Sequence, residues 1–102
     1  MTDRELLERA AKAAGYEYAK HGGYIVVDGI PGNWNPLTDD GDALRLAVKL
    51  KLKVYQGDLV AIVHPRMSHA YIAEEYERNG DHYAATRRAI VHAAAEIVKA
   101  MP

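Results

Sequence analysis

Residues 33–50 read Asn33-Trp34-Asn35-Pro36-Leu37-Thr38-Asp39-Asp40-Gly41-Asp42-Ala43-Leu44-Arg45-Leu46-Ala47-Val48-Lys49-Leu50. The stretch begins as a loop, because Pro36 biases the residue before it away from helical backbone angles. It ends as a helix, because apolar residues recur there at helical spacing. The face predicted to point inward is Leu44, Ala47 and Val48, with Leu37 and Leu50 at its ends.

Three carboxylates cluster where this helix starts. Thr38, Asp39 or Asp40 can cap the helix, and Asp42 adds negative charge to its first turn, where the helix dipole favours carboxylates. The alternative is a cation site, because Mg²⁺ and Ca²⁺ prefer oxygen ligands. The spacing Asp-Asp-Gly-Asp lacks the ligand ladder of an EF-hand loop, so capping is the favoured interpretation and no metal site is predicted.

Length and composition indicate a single domain over residues 1–102. The chain is 49% hydrophobic and 26% charged, as is usual for a globular fold. Its formal net charge of −1 argues against general nucleic-acid binding, which needs a basic excess or a basic face. There is no Cys, which excludes disulfides, thiolate nucleophiles and Cys-based zinc sites.

The sequence shows no targeting segment. The chain starts with a polar stretch, and no apolar run approaches the roughly 18 residues needed to cross a bilayer. We therefore predict a cytoplasmic protein with no membrane partner.

The segment before residues 33–50 is predicted to form a helix and a hairpin. Residues 2–14 form one apolar stripe at helical spacing, with a capping box at Thr2-Asp3-Arg4-Glu5. Gly15 ends this helix in the left-handed conformation. Residues 16–28 predict a hairpin that turns at His21-Gly22-Gly23, and residues 29–32 are expected to end the sheet.

The segment after residues 33–50 is predicted to form a second hairpin over residues 54–63, which turns at Gln56-Gly57-Asp58. A loop over residues 64–69 follows. Residues 70–78 fit either a helix or a strand. We favour a strand, because Asn79-Gly80 is a turn signal and the strand would complete the sheet.

A long helix over residues 81–100 is the most clearly predicted element, with Asp81 as its N-cap. Its predicted buried face consists of Tyr83, Ile90, Val91, Ala94, Ile97, Val98 and Met101. The resulting order α-β-β-α-β-β-β-α predicts an α+β fold. We expect a mostly antiparallel sheet of four to five strands packed by three helices.

Two segments carry a resemblance to a known family, namely residues 33–50 and residues 84–97 (Ala-Ala-Thr-Arg-Arg-Ala-Ile-Val-His-Ala-Ala-Ala-Glu-Ile). Together they resemble the phage ABA-sandwich domain, a family of small proteins encoded by bacteriophages and prophages. The resemblance implies a three-layer α/β/α sandwich and a phage origin, which would place the protein in the host cytoplasm. It implies no activity, and it does not extend to residues 64–79.

Candidate binding residues come from the same two segments. Trp34 could stack on a base, with Asn35 beside it in the loop. The planar guanidinium group of arginine suits phosphate or carboxylate groups, so Arg45, Arg87 and Arg88 are candidate ligand contacts. The alternative is that these arginines form salt bridges, for which the candidate carboxylates are Asp39, Asp42 and Glu96.

No catalytic or cofactor signature is present. The histidines 21, 64, 69, 82 and 92 lack the spacing of a metal pair, and the single Ser, Ser68, has only a sequence neighbour in His69. There is no P-loop, Rossmann glycine pattern or nucleophile elbow. We therefore predict no catalytic residues, no metal, no cofactor and no enzymatic activity.

The functional prediction is a non-enzymatic phage accessory protein that binds a partner in the infected host. In its sharpest form it is an anti-defence protein that sequesters a nucleotide second messenger through Trp34 and the arginines. The alternative is a protein–protein interaction module that binds a host or phage protein, or a homo-oligomer, because interfaces favour Tyr, Trp and Arg. A small hydrolase is a third alternative.

Overall fold

The computed structural model describes residues 2–18, 25–27, 30–65 and 71–99. The predictions for the turn at residues 21–23, for most of the loop at residues 64–69 and for Met101 lie outside these ranges. In chain order, the described elements are α1 (Asp3–Ala14), β1 (Glu17–Tyr18), β2 (Ile25–Val27), β3 (Ile30–Gly32), α2 (Asp40–Leu50), β4 (Lys53–Gln56), β5 (Val60–His64), β6 (Ile72–Glu75), α3 (Tyr76–Asn79) and α4 (His82–Lys99).

The predicted α+β class is confirmed. The strands, however, form two antiparallel three-stranded sheets, β1-β2-β3 and β4-β5-β6, where one sheet of four to five strands was expected. Four helices are described where three were expected. Each sheet pairs strands that are consecutive in sequence, and α2 separates the two sheets along the chain.

The additional strand of the first sheet is β3, at Ile30–Gly32, where the sequence was expected to end the sheet. It pairs with β2 and places Pro31 opposite Val26. Proline lacks an N–H and is therefore tolerated on an edge strand, and β3 is an edge of its sheet. The prediction of a break was wrong, because a glycine- and proline-rich segment can also serve as an edge strand.

The ambiguous residues 70–78 divide into two elements. Ile72–Glu75 form β6, as favoured from the sequence, and Tyr76–Asn79 form the short helix α3. Gly80 follows with a positive φ of 98°, which glycine adopts without steric cost. The Asn-Gly pair therefore ends a helical turn here and does not close a hairpin.

Helix α1 begins and ends as predicted. The Thr2 hydroxyl accepts a hydrogen bond from the Glu5 backbone N–H, at 3.2 Å. Gly15 takes the left-handed conformation at the other end, where its N–H is directed to the carbonyls of Ala11 and Lys12. Both ends of α1 are thus fixed by residues that the sequence singles out.

Helix α2 is rotated relative to the prediction. Its buried residues are Ala43, Leu46 and Ala47, whereas Leu44 and Val48 are 64% and 68% exposed. The helix carries two overlapping apolar stripes, and the one that contains the fully buried Leu46 packs inward against α4 and α1. The prediction of Leu44 and Val48 as inward residues was therefore wrong.

Helix α4 is the centre of the fold. It contacts α1 and α2 as well as β5 and β6. Its buried residues are Ala85, Ala89, Ile90, Val91, Ala93, Ala94 and Ala95. At 100° per residue, Ala89 and Val91 project 200° apart, so the helix is covered on more than one face. The prediction of one buried face was too narrow, and Tyr83, assigned to it, is exposed.

The sheet β4-β5-β6 is covered on one face. Ala61 and Val63 of β5 are buried beneath α4, and the residues that alternate with them, Val60, Ile62 and His64, are only half-buried. In the described part of the chain, no helix is long and apolar enough to cross a membrane.

Candidate functional site

Trp34 lies in the hydrophobic core. It is only 8% exposed, and its ring meets the Tyr16 ring edge to face, with the centroids 5.8 Å apart. The ammonium group of the exposed Lys49 lies 4.5 Å from the centroid of the same Tyr16 ring. The ring of Trp34 is therefore a packing element here, and its faces are not presented to solvent.

Asn35 organises the turn that leads into α2. Its side-chain oxygen accepts a hydrogen bond from the Leu37 N–H at 3.0 Å, and its backbone carbonyl accepts from the N–H groups of Thr38 and Asp39. Its own N–H donates to Asp42 at 2.9 Å. These bonds form an Asx turn, in which the side-chain oxygen, the backbone carbonyl and the N–H of Asn35 all bond to residues of the loop and of α2.

Arg45 is held by the carboxylates at the start of its own helix. Its guanidinium lies 2.7 Å from Asp42 and 3.9 Å from Asp39. The hydrogen bond to Asp42 raises the pKa of Arg45 above its ordinary value. The salt-bridge interpretation is thus confirmed for this arginine.

Asp39 is the N-cap of α2, because its side chain accepts a hydrogen bond from the Asp42 N–H at 2.7 Å. This confirms the capping interpretation.

We expect Asp39→Ala to lower the free energy of unfolding by about 1 kcal/mol, because one helix N–H loses its acceptor. Asp39→Asn should change the free energy of unfolding by only about a few tenths of a kcal/mol, because Asn caps a helix as well as Asp does. Urea denaturation measures both. An equal loss in the two variants would show that charge, and not capping, is what Asp39 contributes.

Arg87 joins α4 to the loop before α2. Its Nε donates to the Leu37 carbonyl at 2.8 Å, and a terminal nitrogen donates to Asp40 at 2.6 Å. Its side chain is 19% exposed. This arginine also forms a salt bridge, although with a carboxylate that the sequence analysis had assigned to capping.

Arg88 points to a different side of α4. It pairs with Asp3 of α1 at 3.0 Å and lies 3.8 Å from Glu74 of β6. The ring of His92 lies 3.6 Å from both Glu74 and Glu96. Arg88 therefore belongs to a charged cluster that ties together α1, β6 and α4, and its partner is not the predicted Glu96.

The five predicted ligand residues do not form one site. Trp34, Asn35 and Arg45 border a shallow polar depression of about 610 Å³ that also contains Asp39 and Asp42. Arg87 borders a separate groove, and Arg88 borders neither. Whether any of the five contacts a ligand stays a prediction.

The separate groove lies between α2, β4 and α4 and has a volume of about 680 Å³. Such volumes are typical of ligand sites, which are mostly apolar and carry a few polar groups. Its lining residues are Asp40, Ala43, Leu44, Ala47, Val54, Gln56, Gly57, Tyr76, His82, Tyr83, Thr86, Arg87 and Ile90.

Three polar side chains of the groove, Tyr76, Gln56 and Thr86, are bonded to one another or to nearby backbone carbonyls. The buried Tyr76 donates its hydroxyl hydrogen to the Gly57 carbonyl at 2.8 Å. The Gln56 amide donates to the Thr86 hydroxyl at 2.7 Å, and that hydroxyl donates to the His82 carbonyl at 2.7 Å. Because the Thr86 proton is engaged in this way, no nucleophile–base pair is assembled by these groups.

The rim of the groove carries large exposed apolar side chains. Tyr83 is 68% exposed, Leu44 is similarly exposed, and Val54 is 41% exposed. These three side chains come from α4, α2 and β4 and border the same groove. The arrangement can bury an apolar group of a ligand, whereas the pairing of Arg87 with Asp40 leaves little attraction for an anion.

Sequence reasoning missed this groove because Leu44 and Tyr83 fit core positions by spacing alone. No group of three or more candidate metal-binding residues lies together within the described ranges. His21, Ser68 and His69 lie outside those ranges.

Compared with protein-family models, curated proteins and solved structures, the chain shows no match to any of them. The resemblance to the phage ABA-sandwich family therefore stays a prediction.

Proposed function

We propose that this protein is a non-enzymatic protein–protein interaction module that takes apolar anchor side chains of a partner protein in the groove between α2, β4 and α4. The observation that carries the proposal is the exposed apolar rim formed by Leu44, Val54 and Tyr83 around a groove of about 680 Å³. Protein interfaces place aromatic and aliphatic anchors in such pockets.

The internal bonding of the groove supports an apolar occupant. Tyr76, Gln56 and Thr86 satisfy each other and nearby carbonyls, so these three side chains keep their hydrogen-bond partners when an apolar side chain enters the groove. An apolar anchor also gains the transfer energy of leaving water, about 25 cal/mol per Å² of apolar surface.

The nucleotide-binding hypothesis has less support. A phosphate at Arg45, Arg87 or Arg88 would have to compete with carboxylates that lie 2.6–3.0 Å from these guanidinium groups. A base would need a free aromatic face, and Trp34 is buried against Tyr16. The proposal therefore places the partner at the groove, and the assignment to a phage accessory protein in the host cytoplasm rests on the resemblance alone.

Leu44→Asp tests the groove. We expect it to weaken partner binding at least roughly tenfold, because it places a charge where an apolar anchor would be desolvated. Its effect on unfolding should stay within about 0.5 kcal/mol, since the side chain is exposed. The measurement is capture of a partner from bacterial lysate by the tagged full chain, followed by titration with the purified partner.

Leu59→Asp is the matched control. Leu59 is 77% exposed, more than Leu44, but it lies in the turn between β4 and β5 and does not line the groove. A partner that binds Leu59→Asp like the wild type and loses Leu44→Asp supports the proposal. A partner that binds Leu44→Asp with unchanged affinity would show that the groove is not the docking site.

A further inference from the structure

Strand β4 is an edge strand that presents its outer side to solvent. All four residues, Lys53–Gln56, are exposed, and within the described ranges β5 is the only strand paired with β4. The open side of an edge strand carries N–H and C=O groups that pair readily with another strand. A bound strand on this edge would extend the sheet β4-β5-β6.

The hydrogen-bond pattern identifies the backbone groups on the open side. The Gly57 N–H donates to the Val60 carbonyl at 2.9 Å, and β4 runs antiparallel to β5. Along an antiparallel pair, hydrogen-bonded and non-hydrogen-bonded positions alternate. Tyr55 is therefore bonded to β5, whereas Val54 and Gln56 direct their N–H and C=O groups away from β5.

We propose that the protein self-associates by pairing β4 with β4 of a second copy, antiparallel and centred on Tyr55. In this register, Val54 of each copy lies opposite Gln56 of the other, so four backbone hydrogen bonds join the two sheets into one sheet of six strands. The two Tyr55 side chains face each other at a non-hydrogen-bonded position, where side chains approach most closely.

The charges at the two ends of the strand fit a second copy. Lys53 and Asp58 are exposed, and neither has an ion-pair partner among residues 2–18, 25–27, 30–65 and 71–99. In the proposed register, Lys53 lies opposite Gly57 of the other copy and next to its Asp58. Each Lys53 therefore lies one position away from the turn residue Asp58 of the other copy, which brings opposite charges near each other on both sides of the two-fold axis.

Exposed apolar surface adds to this fit. Tyr55 is 62% exposed, and Val54 is partly exposed. Side-by-side pairing covers part of both side chains, and aromatic cross-strand pairs stabilise antiparallel strands. The edge is thus complementary to itself in backbone groups, in charge and in apolar surface.

Sedimentation of the full chain over micromolar to millimolar concentrations tests the proposal. We expect a species of twice the 11.3 kDa chain mass as concentration rises. Lys53→Asp and Asp58→Lys should each raise the dimer dissociation constant roughly tenfold, because each brings like charges near one another at both ends of the paired strands. An equimolar mixture of the two variants should recover wild-type affinity, because every pair is of opposite charge only in the mixed dimer.

Glu77→Lys is the control, since it makes the same charge change as Asp58→Lys at an exposed residue of α3. It should leave the dissociation constant unchanged. A monomer at every concentration would overturn the proposal, and so would a dimer that neither charge variant weakens. A monomeric result would leave the groove proposal standing, because that proposal is tested by Leu44→Asp and a different partner.

Discussion

Trp34→Ala should lower the free energy of unfolding by about 3–5 kcal/mol, the usual cost of removing a large aromatic side chain from a core. The ring is 8% exposed and packs edge to face on Tyr16. Its loss removes apolar burial and leaves a cavity beneath the loop that leads into α2. Since domains of this size have only about 5–15 kcal/mol of stability, the variant should be close to its unfolding threshold at 37 °C.

Urea denaturation followed by far-ultraviolet circular dichroism is the suitable measurement, because Trp34 is the single Trp and its removal abolishes the fluorescence signal. Tyr83→Ala is the control, since Tyr83 is exposed and its truncation should stay within about 0.5 kcal/mol. A loss below about 1 kcal/mol for Trp34→Ala would contradict its place in the core and return it to the candidate ligand contacts.

Arg87→Ala should have the second largest effect, a loss of about 2–3 kcal/mol. Two hydrogen bonds of 2.8 and 2.6 Å join this side chain to the Leu37 carbonyl and to Asp40. Removing it leaves the Leu37 carbonyl without the charged donor that satisfies it, and a hydrogen bond from a charged donor contributes more than a neutral one. Chemical denaturation at low and at high salt measures the loss.

Asp40→Ala separates the two contacts. The Asp40 side chain is mostly exposed, so its ion pair with Arg87 should contribute less than about 1 kcal/mol, and salt should screen it. If Asp40→Ala costs as much as Arg87→Ala, the ion pair carries the stability and the bond to Leu37 does not. Because Arg87 has this structural role, a loss of ligand binding in Arg87→Ala would not by itself assign a phosphate contact.

The local elements that have their own chemical signals could be predicted from the sequence. Thr2, Gly15 and Asp81 fix helix ends through short-range hydrogen bonds or a backbone conformation, so their roles need no knowledge of the tertiary structure. Asp39 is one of three residues that the sequence offers as the cap of α2, and the structure identifies it among them. The turn that joins β4 and β5 spans residues 57–59, so it overlaps the predicted Gln56-Gly57-Asp58, of which Gln56 belongs to β4.

The long-range arrangement could not be predicted in the same way. Helix α2 has two apolar stripes, and its packing against α4 and α1, which are distant in sequence, buries the stripe of Ala43, Leu46 and Ala47. Helix α4 is buried on more than one face because elements from both halves of the chain meet it. Periodicity identifies an apolar face but does not reveal how many partners will cover a helix.

The groove depends on the same long-range arrangement. Leu44 and Tyr83 are apolar and follow helical spacing, so their sequence pattern does not distinguish a rim from a core. The sequence likewise indicates that Arg87 and Arg88 can form ion pairs, but their carboxylate partners, Asp40 and Asp3, lie on other helices. The site therefore becomes visible only when α2, β4 and α4 are placed together.

The position of α4 at the centre has a consequence for biosynthesis. Domains generally fold as units during synthesis, and the N-terminal parts emerge first. Because α4 is the last described helix to leave the ribosome, the earlier helices and both sheets emerge before the element that they pack against. The nascent chain must therefore expose the apolar faces of α1, α2 and β5 until residues 82–99 appear. We expect chaperones and proteases that recognise exposed apolar segments to act on the chain during that interval.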